Sequence, residues 1–113
     1  MAAVVLASSV MAIPQMQKPI RASFYASAFE NRKMANGAAF HQDRITAASR
    51  SYPLGSILRV ESVQTGKSVL VTVTDRGPWC KKFSLDLSKA AFRELGLNAQ
   101  AGWGWVTIER FTE

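Results

Sequence analysis

The sequence has one cysteine, Cys80, and one histidine, His41, in 113 residues. A lone thiol excludes an internal disulfide framework, and the two together exclude a CxxC zinc site or any multi-ligand site of the usual Cys/His type. Nothing in the composition calls for a metal or another cofactor, and none is expected. A long apolar run is also missing: Met1–Ala12 is uncharged and mostly small and apolar, but a helix that spans a bilayer takes about 20 such residues. Internal repeats and low-complexity stretches are absent. Acidic residues are scarce, with eight Asp and Glu against fourteen Lys and Arg, which leaves a net charge of +6 and a pI near 10.0. That imbalance predicts attraction to polyanions: nucleic acid, anionic lipid or the acidic polymers of a cell wall. Nucleic acid ranks last. The basic residues are scattered, Arg32-Lys33 and Lys81-Lys82 are the only adjacent pairs, and no RNA- or DNA-binding motif occurs.

What remains is a globular composition, 48% apolar and 19% charged, in a chain of single-domain length. Met1–Ala12 fits the apolar region of a secretory signal without its basic flank. Val10 and Ala12 stand at the small-residue spacing that a signal peptidase reads. The expectation is therefore export, to the periplasm, the cell envelope or the medium. No cysteine follows the segment to carry a lipid anchor. Residues 13–19, with Pro14 and Pro19, are expected to be a linker and residues 20–113 one domain, a monomer without a transmembrane span.

Period-two alternation marks most of this domain as strand. The expected strands are Ile20–Ala28, Ile45–Ala48, Ile57–Val63, Lys67–Thr74 and Trp103–Phe111. Glu30–Phe40 is expected to be an irregular loop, Pro53-Leu54-Gly55 a turn, and Gln64-Thr65-Gly66 the tip of a hairpin. Val69, Val71 and Val73 share a face and Asp75 continues their parity. A carboxylate is thus expected at the end of a core-facing row, where the chain turns at Arg76-Gly77-Pro78. One short helix is expected, with Ser88 as N-cap, Ala91, Phe92 and Leu95 as its apolar stripe, and Gly96 ending it. Before it, Leu85 and Leu87 point one way and Asp86 the other. In the last strand Gly104, Val106 and Ile108 share one face and Trp103, Trp105, Thr107 and Glu109 the other. Many short strands with one helix imply a small closed β-barrel.

The segments ASFYAS (Ala22–Ser27), RKMANGAAF (Arg32–Phe40), RITAAS (Arg44–Ser49), YPLGSILRV (Tyr52–Val60), GKSVLVTVTDRGPW (Gly66–Trp79) and LDLSKAAFRELG (Leu85–Gly96) occur in one order. Together they resemble the rare-lipoprotein-A family, from Arg21 to Phe111. The resemblance implies an all-β fold, a six-stranded double-psi β-barrel with one short α-helix. It also implies action on the cell wall: lytic transglycosylase-like cleavage of peptidoglycan strands, or non-catalytic, expansin-like binding and loosening of wall polysaccharide. The transglycosylase pattern carries a glutamate, an aspartate and a histidine where Ala38, His41 and Ser49 stand here. The expansin-like pattern is met more fully, by Asp75, by Asp86 and by Ser23 as the small hydroxyl residue of the first strand.

A lytic transglycosylase closes the sugar's own C6 hydroxyl onto the anomeric carbon, so one carboxyl group can act first as acid and then as base, in place of the pair used by ordinary glycosidases. Such an acid must hold its proton near neutral pH, through burial or a neighbouring negative charge. Asp75 is the candidate, with Asp86 beside it. Arg76 would oppose the shift if its guanidinium folded back onto the carboxylate. Two readings stand for each residue. Asp75 belongs to a site or simply bonds turn amides, and Asp86 belongs to the site or is a surface carboxylate ahead of a helix N-terminus. Tyr25 and Trp79 line the groove or pack in the core. Trp103 and Trp105 form a sugar platform or cap the barrel. His41 reads as a solvated loop histidine, Cys80 as an incidental thiol and Ser49 as structural.

Overall fold

The computed structural model describes residues 18–111. The segment Met1–Ala12 and most of the linker 13–19 lie outside the described residues. Six strands form the barrel: β1 (Ile20–Phe24), β2 (Thr46–Ser49), β3 (Ile57–Ser62), β4 (Ser68–Asp75), β5 (Leu85–Leu87) and β6 (Trp103–Arg110). Their order around the closed wall is β1-β5-β2-β4-β3-β6. β1 with β5 and β2 with β4 run parallel, and the other pairs are antiparallel. This is the double-psi arrangement that the resemblance implies.

Alternation decides what fills the barrel. Ala22, Ala47, Leu58, Val60, Val71, Val73, Leu85, Leu87 and Val106 all turn inward and are fully covered. Each larger side chain among them contributes roughly 1.5–3 kcal/mol relative to exposure. The helix α1 (Lys89–Glu94) packs against β1, β4 and β5. Ser88 caps it, its Oγ accepting the Ala91 N–H at 3.3 Å. Gly96 ends it at φ +69°, the left-handed conformation that favours glycine. Phe92 drops into the core with its ring 4.7 Å from that of Phe24. Gly104 faces the same interior. A Cβ there would stand 2.8 and 2.9 Å from the δ-carbons of Leu97, which is itself packed in the core. Gly104→Ala should therefore cost on the order of 1–3 kcal/mol through overpacking. A urea midpoint equal to wild type would show that Leu97 moves freely.

The first strand is shorter than its alternation predicts. β1 ends at Phe24 because β5, its parallel partner, ends at Leu87 opposite. The Tyr25 N–H makes a last bond to the Leu87 carbonyl, and a 3-10 turn follows at Ser27–Phe29. The chain then runs through residues 30–40 as the expected irregular loop, with one isolated bridge between Lys33 and Ala39. This loop builds a second small core outside the barrel wall, from Tyr25, Met34, Phe40 and Ala48. Among the described residues no helix is long and apolar enough to cross a membrane.

Candidate active site

Register places the site. On β5, Asp86 pairs with Ser23 of β1 on one side and Ala48 of β2 on the other. Ala48 in turn pairs with Asp75 of β4. Ser23, Asp86, Ala48 and Asp75 thus form one lateral row across four neighbouring strands, on the outer face of the barrel.

Asp75 reaches that face through an irregularity that corrects the parity reading. Ala47 pairs with Val73, but the next residue, Ala48, pairs with Asp75. One step along β2 spans two along β4, so Thr74 is the extra residue of a bulge. Ala47 lies in the barrel core and Ala48 in the outer cluster. Val73 therefore stays inside while Asp75, two residues on, emerges outside.

Three donors hold the Asp75 carboxylate: the Tyr25 hydroxyl at 2.7 Å on Oδ2, and the backbone N–H groups of Ala35 at 2.8 Å and Arg76 at 2.9 Å on Oδ1. The turn bonding expected of Asp75 is thus present, alongside the bond from Tyr25. The Tyr25 ring stacks on Phe40 with centroids 4.0 Å apart. Burial, then the bond to Asp75, then the charges of Asp75 and Asp86 push its hydroxyl well above the usual tyrosine range, so it remains a donor. The Arg76 guanidinium does not fold back onto Asp75. Its Nη1 donates to the carbonyls of Ser49 at 2.7 Å and Tyr52 at 2.6 Å.

Asp86 holds its proton more tightly than an ordinary carboxyl. Burial pushes it up to about 6; the hydrogen bond from Ser23 opposes the rise and the charge of Asp75 adds to it. Ser23 Oγ donates to Asp86 Oδ1 at 3.1 Å. Ser88, not Asp86, serves the helix N-terminus.

These residues open onto one groove of about 510 Å³, whose lining includes Ser23, Tyr25, Asp75, Arg76, Trp79 and Asp86. Trp79 stands 75% exposed at its rim. Phe29, Phe83 and Cys80 also line it, and alternation gave no signal for them because they lie in turns. Arg50 shapes the rim, donating to the carbonyls of Pro78 and Phe83. In the run Ser-Arg-Ser it reads as a solvated cation, so the sequence held no sign of this role. Gln42 was equally silent. Its Nε2 donates to the Tyr25 carbonyl, and its Oε1 accepts the Lys89 N–H, so it ties the loop to α1. Trp103 and Trp105 lie outside the groove, exposed on the outer face of β6 rather than capping the barrel. His41 bonds Glu30 at 2.8 Å in an exposed pair away from the groove. Ser49 is buried and accepts the N–H groups of Ser51 and Tyr52.

Fold and site together define a double-psi β-barrel with a two-carboxylate groove on its outer wall. Residues 21–108 match the family model described as lytic transglycolase, and the chain belongs to that family. Uncharacterized protein ssl3177 of Synechocystis sp. is 46% identical over 89 residues, which cover 79% of this chain and 93% of the relative. The probable endolytic peptidoglycan transglycosylase RlpA of the same organism is 39% identical over 88 residues, 78% of this chain and 27% of the relative. Among solved structures, apo expansin from Clavibacter michiganensis superposes with a TM-score of 0.65 at 30% identity, covering 87% of this chain and 52% of that one. A mutant of that expansin is solved in complex with cellohexaose. The matched region spans about a quarter of the length of RlpA and half that of the expansin.

Proposed function

We propose that the groove binds a cell-wall glycan and that the protein cleaves peptidoglycan as a lytic transglycosylase-like lyase, outside the cytoplasmic membrane. The observation that carries this reading is Asp86: a carboxyl pushed up to about 6 by burial, open to the groove, in one row with a second carboxylate. In the proposed step the Asp86 carboxyl gives its proton to the bridging glycosidic oxygen as the C1–O bond breaks. The C6 hydroxyl of the same sugar attacks C1 and returns its proton to Asp86. The product is a 1,6-anhydro end, no water is consumed, and one residue serves as acid and then base. Asp75, fixed by its three donors, stands across Ala48 and supplies negative charge beside the oxocarbenium-like centre. Ser23 aims Asp86, and Tyr25 orients Asp75. The role first given to Asp75 thus passes to Asp86.

Mass analysis of digested purified peptidoglycan tests this. Anhydro-muramic ends that appear with wild type and vanish with Asp86→Asn support it; ends that persist undiminished in that variant remove Asp86 from the chemistry. A second reading, an expansin-like module that binds and loosens the wall without cleavage, is favoured by Ala38 and Ser49, which stand where the transglycosylase pattern carries a glutamate and a histidine. It predicts wall binding with no anhydro ends at all.

Trp79 offers a separate check of the groove. At 75% exposure it adds little to folding, so Trp79→Ala should shift stability by no more than about 0.5 kcal/mol. Loss of a stacking surface should nonetheless weaken retention on purified sacculi by roughly tenfold. Unchanged retention would place the glycan elsewhere.

A further inference from the structure

The row that defines the groove does not stop at β1. Ser23 pairs with Asp86 on one side and with Trp103 of β6 on the other. Asp75, Ala48, Asp86, Ser23 and Trp103 therefore lie in one line across five strands, roughly 19 Å at the usual strand spacing. The surface along this line is continuous. Phe83 lines the groove and also the adjoining cavity of about 390 Å³, shared with Arg21, Lys82 and Trp103. Its ring lies 6.4 Å from that of Trp103. Trp105 meets Trp103 edge-on at 5.6 Å, and a third hollow of about 300 Å³ opens between this pair and Val63.

The two indoles are 36% and 43% exposed, although the core is complete without them. Arg21 sits against both, its Cζ 5.6 Å from the Trp103 ring and 4.9 Å from the Trp105 ring. Among the described residues the side-chain ion pairs are His41–Glu30 and Arg59–Glu61, so neither Arg21 nor Lys82 has a carboxylate partner. At the groove end of the line stand Asp75 and Asp86 with Arg76, and at the other end, among aromatic rings, two cations that pair with no carboxylate of the described residues.

We propose that Trp103, Trp105, Arg21 and Lys82 form an extension of the glycan site, which takes the continuation of the same strand and selects one that bears acidic substituents. The proposal rests on the reading that the groove binds glycan. Sugar rings stack their C–H faces on the indoles. Carboxylates of an acidic strand meet Arg21 and Lys82. A neutral glucan gains the stacking and nothing from the cations.

Calorimetry with three probes tests this: peptidoglycan fragments of two and of eight sugars, both with stem peptides, and cellohexaose. Wild type should bind the eight-sugar fragment on the order of tenfold or more tightly than the two-sugar one. Trp105→Ala should erase most of that advantage. Arg21→Gln with Lys82→Gln should reduce it for the acidic fragment and leave cellohexaose unchanged. This double variant alters only surface side chains, so it decides the matter even if Trp105→Ala fails to fold by circular dichroism. Equal affinity of wild type for both fragments overturns the extension and leaves the groove reading intact, as does a full chain-length advantage in both variants. Failure of wild type to bind either fragment removes the groove reading and this one with it.

Discussion

Asp86→Asn is expected to inactivate the protein and, at neutral pH, to stabilise it. Loss of a general acid costs about 10²- to 10⁴-fold in rate, read as anhydro ends released per hour. The stability effect follows from linkage. The Asp86 carboxyl rises from 3.8 to about 6 on folding, so between those values the folded chain holds a proton that the unfolded chain has lost. The contribution of Asp86 is fully present below pH 3.8 and fades as pH rises through 6. The loss is about 3 kcal/mol, from roughly two units at 1.36 kcal/mol each. Asparagine does not titrate, so the unfolding free energies of wild type and variant, from urea titration, should diverge by that amount between pH 4 and 7. Glu30, held low chiefly by its hydrogen bond with His41, acts in the opposite direction as pH falls, and cancels in the difference. Parallel stability curves across this window would show that Asp86 is solvated as an ordinary surface carboxylate. Activity should follow the same group. Roughly one molecule in ten carries the proton at pH 7 and about nine in ten at pH 5, so cleavage should rise on acidification through pH 6.

Phe92→Ala should have the largest effect on folding. The ring is fully buried and is the main apolar anchor of α1, a helix of six residues that is too short to persist without tertiary packing. Phe-to-Ala changes in cores cost about 3–5 kcal/mol, against a total of about 5–15 for a typical domain. Equilibrium urea unfolding measures it, and a cost below 1 kcal/mol would mean that the barrel core does not depend on the helix. The loss should reach the groove too, because Phe24, which packs on Phe92, adjoins Ser23 and lines the site.

Local rules made much of this fold readable. The β3–β4 hairpin, Leu85 and Leu87 pointing opposite to Asp86, the capped helix at Ser88 and Trp103 and Trp105 on the face opposite Val106 each follow from a period of two or from a cap. The ordered motifs then brought Ser23, Tyr25, Asp75, Arg76, Trp79 and Asp86 together as candidates, and the structure gathers all six around one groove. What escaped depends on partners distant in sequence. β1 ends where β5 runs out. The Arg76 guanidinium turns to Ser49 and Tyr52 because two free carbonyls converge there. The Asp86 carboxyl is pushed up because it is buried between β1 and β2. Arg50 and Gln42 look like surface residues until the loops they hold are folded around them.

The bulge at Thr74 gives the site an unusual kind of vulnerability. The place of Asp75 opposite Ala48 is set by backbone pairing across the bulge, not by the chemistry of the residue in it. Thr74 can change identity and Asp75 still emerges on the groove side, since the pairing is preserved. Deletion of Thr74 is different: Asp75 would follow Val73 directly and still stand opposite Ala48, but the Thr74 carbonyl that accepts the Asn36 N–H at 3.2 Å would be lost, and with it a tie between the loop and β4. The groove therefore tolerates substitution at this position far better than a change of length. Among natural relatives and library variants alike, insertions and deletions in this short stretch should separate working barrels from empty ones.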